Sequence, residues 1–380
     1  MTATLILLLF LMMPITALAD ESSSDSGITG EMLSQMEEYG TGELAEEVPE
    51  SAKESLGELG LEDFSPTKLL GMTPSEFFSL ILKMLKEQVK KPLQVLMIVL
   101  GILILSSLIE GLKTAFSDKP LTTLFNVIAV MCIVFTIAPP IMECIQDAAD
   151  AIRDCSNYIT SFIPVFAGMM TVAGQTASAV TYNMILFSVI QVITKIASSN
   201  LVPLMGIYLA FCIIGAVSPQ YHLSEIALSL KKVAVFVIGV MTTVFVSLLT
   251  IQGLVSASAD TVATKTTKFI IGAVVPIVGS ALSEALNSVK GCVGFLKTSV
   301  GAFSILVVAV DFLPVLLRNV AWMLTLNIAS ALEGVFDLKQ VTEIFKSASF
   351  VFSILNAIIL CFALIVIIST AMMMILSGSA

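Results

Sequence analysis

His222 is the chain's only histidine. Its isolation excludes the arrangements that need imidazole in company, from Ser-His-Asp triads to two-histidine metal helices. Cysteine is equally uninformative as a ligand. Cys132, Cys144, Cys155, Cys212, Cys292 and Cys361 form no CxxC pair and no metal-ligand spacing. Cys144 and Cys155 share one polar stretch, but as a helix it would hold them about 16 Å apart, too far for a disulfide. Neither a phosphate-binding GxxxxGK[ST] run nor a GxSxG nucleophile turn occurs. Charge is scarce too: Asp, Glu, Lys and Arg make up 13% of residues, about half the share in soluble domains. The paired lysines Lys90-Lys91 and Lys231-Lys232 are too few for a nucleic-acid surface and read as membrane-edge anchors. These absences argue against an enzyme, a metal or other cofactor, and a nucleic-acid partner.

What is present is apolar. Hydrophobic residues make up 57% of the 380, and mean hydropathy is +0.98. That composition specifies an all-α polytopic membrane protein. The net charge of −10 belongs to one segment. Residues 20–70 hold 14 acids against two lysines, whereas the rest of the chain is almost balanced.

In chain order, residues 1–19 read as a signal peptide, with an apolar core from Leu5 to Met13 and the small-x-small site Ala17-Leu18-Ala19. The leading Met-Thr-Ala-Thr carries no lysine or arginine, so an uncleaved anchor is the alternative. Either places residues 20–75 outside the cytoplasm. That acidic segment has too few aliphatics to fold alone. It is expected as a largely flexible spacer, or as short helices that order against a partner. Residues 76–91 form an amphipathic helix, with Phe77, Phe78, Ile81, Leu85 and Val89 opposed to Lys83, Lys86, Glu87 and Lys90. It suits either the lipid interface or packing on the membrane body.

Residues 92–157 hold two leading spans, 93–109 and 121–138, and an acidic amphipathic loop from Glu143 to Asp154. Further candidates are 159–178, 180–197, 201–217, 233–251, 269–286, 299–317, 319–334 and 349–376. Two of these carry Pro and Gly within the apolar run: Pro164 with Gly168, and Pro276 with Gly279. Such residues free backbone groups, and the breaks survive where protein or an aqueous cavity receives those groups. Pro164 and Pro276 lie 112 residues apart, Pro203 and Pro314 111. The connectors 218–232 and 336–348 both contain Glu-Ile, at Glu225 and Glu343. The order of parts predicts two duplicated halves, 158–252 and 253–380, each with a Pro/Gly-broken segment. If those segments re-enter, the halves are inverted, which the distribution of Lys and Arg slightly favours. If they cross, the halves are parallel.

Between the halves lies the least helix-friendly stretch of the apolar body. Gln252-Gly253, Ser256, Ala259-Asp260, Lys265-Thr266, Lys268-Phe269 and Pro276-Ile277-Val278-Gly279 together resemble the distinctive block of the stage III sporulation protein AE family. The resemblance runs from about residue 90 to the C-terminus. It implies a membrane subunit of the channel or secretion complex linking mother cell and forespore in endospore-forming bacteria. Its implied place is the mother-cell membrane surrounding the forespore. Implied partners are the other stage III proteins (membrane, ring-forming and ATPase subunits), membrane lipids and further copies of itself. The alternative is a secondary transporter working through its two halves.

Candidate gate or assembly residues are therefore Gln252, Gly253, Asp260, Lys265, Lys268, Pro276 and Gly279, with Pro164 and Gly168 in the other half. The charged members form either an ionic cluster at a subunit seam or a solvated loop. Asp311, three residues before Pro314, is the most deeply placed acid and a candidate intramembrane polar site. Small residues recur at Gly168, Ala173, Gly174, Ala177 and Ala179, and at Gly272, Gly279, Ala281 and Ala285. They provide close helix packing or, at unwound half-helices, a substrate-binding backbone.

Overall fold

The computed structural model describes residues 41–61, 74–113, 119–217, 223, 225–248, 250, 279–333 and 339–375. All regular structure among them is helical. Two short helices, α1 (Thr41–Glu46) and α2 (Glu50–Glu58), precede α3 (Pro74–Lys113) and α4 (Lys119–Val172). Helix α5 (Thr176–Ile196) continues through a π-helical turn, Ala197–Leu201, into α6 (Val202–Val217). Then come α7 (Glu225–Leu248), α8 (Gly279–Glu333) and α9 (Lys339–Ile375). Counting α5–α6 as one rod, six helices are long and apolar enough to cross a membrane.

Side-chain pairs give the directions. Lys91 meets Glu143 while Gln88 shares Arg318 with Asp147, and Arg318 meets Asp147 while Ser304 faces Tyr158, so α3 and α8 both run antiparallel to α4. Thr194 bonds Ser156, and Gln191 bonds Thr160, which sets α5 antiparallel to α4. Trp322 stacks on Phe352 and Phe312 meets Phe362 edge-on, setting α9 antiparallel to α8. The Lys231 ammonium sits over the Phe350 ring and Thr242 meets Cys361, so α7 and α9 run parallel. The six rods therefore alternate in direction.

Helix α8 is the centre. In its most apolar 18-residue window 94% of residues are buried, against 17–44% for α3 to α7. Large apolar side chains on α3 and α7, such as Met97, Leu108 and Phe236, are exposed instead. These are the faces a hydrocarbon phase would solvate.

Three expected pairs of spans are single helices. Segments 121–138 and 159–178 fall largely on α4, 180–197 and 201–217 on α5–α6, and 299–317 and 319–334 on α8. The acidic stretch Glu143 to Asp154, expected as a loop, is the middle of α4. Glu143, Asp150, Arg153 and Asp154 are exposed and Asp147 is partly buried toward α8, while Ile145, Ala148 and Ile152 are buried, as an amphipathic helix requires. At 54 residues α4 would reach about 80 Å, well beyond the ~30 Å of a hydrocarbon core.

The first of the two expected breaks is also displaced. Pro164 and Gly168 lie inside α4, which runs unbroken to Val172. Pro164 removes one N–H and frees the Thr160 carbonyl, a local loss. On the opposite face Tyr158, Phe162 and Phe166, four residues apart, are fully buried and stacked, and they hold the helix through it. Gly168 is exposed, with open space where a Cβ would stand. The chain turns instead at Gly174, in the left-handed region at φ 85°. There the Gln175 N–H reaches the Met170 carbonyl and the Gly174 N–H reaches Thr171, a Schellman ending. Pro203 is likewise inside a continuous rod. The π turn just before it carries an i+5 bond from Val202 N–H to Ala197, widening the helix where proline cannot donate.

Within the acidic segment, the described residues 41–61 are folded onto the bundle. Leu44, Val48, Ala52, Leu56 and Leu61 are buried, while Glu46, Glu50, Glu54 and Glu58 face outward. Gly60, at φ 69°, closes α2 with a second Schellman pattern that brings Leu61 back to the Leu56 carbonyl. Helix α3 is continuous from 74 to 113, with Phe77, Leu80 and Ile81 buried and Lys83 paired with Glu58 at 2.6 Å.

Candidate functional site

Every seventh residue of α8 from 297 to 325 is polar: Lys297, Ser304, Asp311, Arg318, Thr325. Seven residues are just under two turns, so these side chains follow one face with a drift of about 20° per step. The face is internal. Lys297 has no exposed surface, Ser304 and Asp311 have 1% each, Thr325 7%, and only Arg318 is partly open. Polar groups at this depth are costly and mark function more often than packing.

Each step of the stripe meets a different neighbour. The Lys297 ammonium donates to the Gln175 side-chain carbonyl and to the Met373 backbone carbonyl, both at 3.0 Å. Gln175 is delivered by the Gly174 turn, so the α4–α5 hairpin exists in a form that presents an acceptor to a buried lysine. Ser304 faces the Tyr158 hydroxyl of α4, without completing a hydrogen bond to it. Asp311 accepts a hydrogen bond from Ser51 of α2 across 260 residues of sequence. Asp154 and Cys155 of α4 bear on it electrostatically. Arg318 donates to Asp147 of α4 and, through Nε at 2.8 Å, to Gln88 of α3. Beside it Asn319 donates to Asn356 of α9 at 3.0 Å. The stripe thus ties four helices and the α4–α5 turn to α8 and carries ionisable groups through its core.

Among the described residues no group of His, Cys, Asp and Glu is arranged to hold a metal. Cys144 and Cys155 are buried, free thiols on the one helix α4. Gln252, Gly253, Asp260, Lys265, Lys268 and Pro276 lie outside the described residues, and Gly279 is the first residue of α8. Pro164 and Gly168 are on α4, away from the stripe's partners. Of the expected residues, Asp311 alone stands at the site. Lys297, Arg318 and Gln175 were not anticipated as parts of it. The heptad spacing of Lys297, Ser304, Asp311, Arg318 and Thr325 is the sequence signal that identifies the stripe.

No solved structure matches this chain. It is 25% identical over 327 residues to stage III sporulation protein AE of Bacillus subtilis (strain 168), an alignment covering 83% of this chain and 79% of that one. The profile of stage III sporulation protein AE matches residues 65–377, which includes the whole of every long helix from α3 to α9 and the whole polar stripe. The chain is a multi-pass membrane protein and belongs to the stage III sporulation protein AE family.

Proposed function

We propose that this protein is a membrane subunit of the complex that joins mother cell and forespore, resident in the mother-cell membrane surrounding the forespore. The observation that carries this reading is the family match across residues 65–377, which takes in nearly all of the helical body. Its partners in the proposal are the other stage III proteins, including ring-forming and ATPase subunits, together with lipid and further copies of itself. The stretch 251–279 is the proposed gate or assembly segment. Deleting the protein while retaining its neighbours should stop forespore gene expression after engulfment and leave the partners unassembled in a pull-down from sporulating cells. Full assembly without it would end the proposal.

The second reading, a secondary transporter, is favoured by the ionisable stripe within the bundle. Duplication belongs to it. Helices α5–α6 and α8 run in one direction, each with a proline inside (Pro203, Pro314), and α7 and α9 run in the other. Parallel rather than inverted halves would place these helices in this same alternation of directions. Solute uptake by the purified protein alone in vesicles separates the two readings, since a complex subunit should show none without its partners.

A further inference from the structure

Asp311 sits at the middle of the stripe with only one of its oxygens engaged. Ser51 donates to Oδ1, whereas Oδ2 has no hydrogen-bond partner among the described residues. The nearest cations on the adjoining elements are committed. Arg318, about 10 Å along the helix, pairs with Asp147 and Gln88. Lys53 of α2 pairs with Glu50 and the Glu46 carbonyl. The groups that do face Asp311 are Ser51 from α2 and, from α4, Asp154 and Cys155. Glu50 and Glu54 of α2 are exposed and turned to solvent.

A carboxylate enclosed without a countercharge is strongly disfavoured, and either a bound cation or a proton removes the cost. The group at hand to share an ion with the carboxylate is the Ser51 hydroxyl, a hard oxygen that suits a proton or a hard cation rather than a soft metal. We propose that Asp311, with Ser51, forms a binding site for a monovalent cation, a proton or a sodium ion, and that helix α2 is its cover. Ser51 is the contact by which the cover reports occupancy. When α2 lifts, Asp311 meets water; when it docks, the carboxyl is sealed with its cation. The site lies wholly within this chain, so it stands or falls independently of any role in a larger complex.

A lipid-soluble carbodiimide tests it on the full-length protein in detergent and in liposomes. The reagent adds the protonated carboxyl across its C=N bond, and acyl migration to nitrogen leaves a stable N-acylurea found by peptide mass spectrometry. The expected result is a label on Asp311 that weakens several-fold as pH rises from mildly acidic to alkaline. Suppression by sodium but not by choline at fixed pH identifies sodium as the occupant. A pH response indifferent to sodium identifies the proton. Ser51→Ala should accelerate labelling by loosening the cover, and Asp311→Asn should abolish it. The proposal is overturned by absence of label at every pH in both the wild-type and Ser51→Ala proteins. A label that responds to neither pH nor sodium overturns it equally.

Discussion

Gly301 of α8 lies tight against its neighbours: a Cβ there would come within 2.7 Å of Met374 Sδ and 3.1 Å of a Phe166 ring carbon. Met374 is a flexible side chain that can shift. Phe166 cannot, because it is caged between Phe162 at 5.1 Å and Tyr182 at 5.3 Å. Overpacking of a core costs about 1–3 kcal/mol, against at most about 1 kcal/mol that replacing a helical glycine returns. Gly301→Val should therefore lower the thermal midpoint of the detergent-purified protein clearly, and Gly301→Ala slightly. Met374→Ala should restore part of the loss in the alanine variant. Equal stability of the valine variant and the wild type would mean that the α8 surface is looser than described.

Arg318 and Asp147 make the second prediction. Both are about two-thirds buried, and Arg318 also holds Gln88, so three helices meet at one guanidinium. Arg318→Gln leaves Asp147 without its partner and should destabilise more than the double variant Arg318→Gln with Asp147→Asn. A coupling of order 1 kcal/mol is expected from the double-mutant cycle, read by chemical or thermal unfolding. Additive effects would show that the pair is too solvated to matter.

Lys297 distinguishes function from folding. Lys297→Met keeps much of the volume and removes a buried ammonium, but strips Gln175 and Met373 of a donor. Those effects oppose each other at about 1–3 kcal/mol each. Abundance in the membrane should stay near normal while forespore reporter activity falls at least severalfold. Loss of activity only in proportion to abundance, measured by immunoblot, would make the lysine structural.

The legible and illegible parts of the fold divide on physical lines. Hydropathy locates apolar runs but not whether two runs share a helix. Glu143 to Asp154 looked like a loop because its charges dominate, although Ile145, Ala148, Ala149 and Ile152 repeat at helical spacing. Prolines misled for a related reason. Pro164 predicts a lost hydrogen bond, yet whether the helix ends there depends on the Tyr158, Phe162 and Phe166 stack behind it. Asp311 was recognisable from depth alone. Its partner Ser51 was not, since a contact across 260 residues leaves no local trace. Gly301 was equally hidden among the chain's 22 glycines until Met374 and Phe166 were placed beside it.

Adjacent residues on α2 offer a test of both export and docking. Glu54 is exposed and Ser55 is 5% exposed. With an impermeant thiol reagent on intact cells before engulfment, Glu54→Cys should label and Ser55→Cys should resist. Detergent permeabilisation should not change the first. Labelling of neither until cells are permeabilised would place α2 on the cytoplasmic side. Equal labelling of both would show that α2 leaves the bundle in the membrane.

The last prediction concerns the stretch between α7 and α8, where Asp260, Lys265 and Pro276, proposed above as gate or assembly residues, lie outside the described residues. If Asp260 and Lys265 are surface residues, their substitution should contribute little to stability, typically within about 0.5 kcal/mol. Asp260→Ala and Lys265→Ala should leave abundance near normal while lowering late forespore gene expression. Pro276→Ala acts by another route, restoring an N–H and removing a ring clash three residues before α8 begins at Gly279. It should let α8 extend backward into the stretch, impairing function without blocking insertion. Pro164 shows that proline alone does not break a helix in this protein, so the effect at Pro276 depends on whether packing there already holds a helix straight. The measurement is immunoblot abundance beside a forespore reporter for each variant. Full reporter activity in all three would remove the stretch from the mechanism.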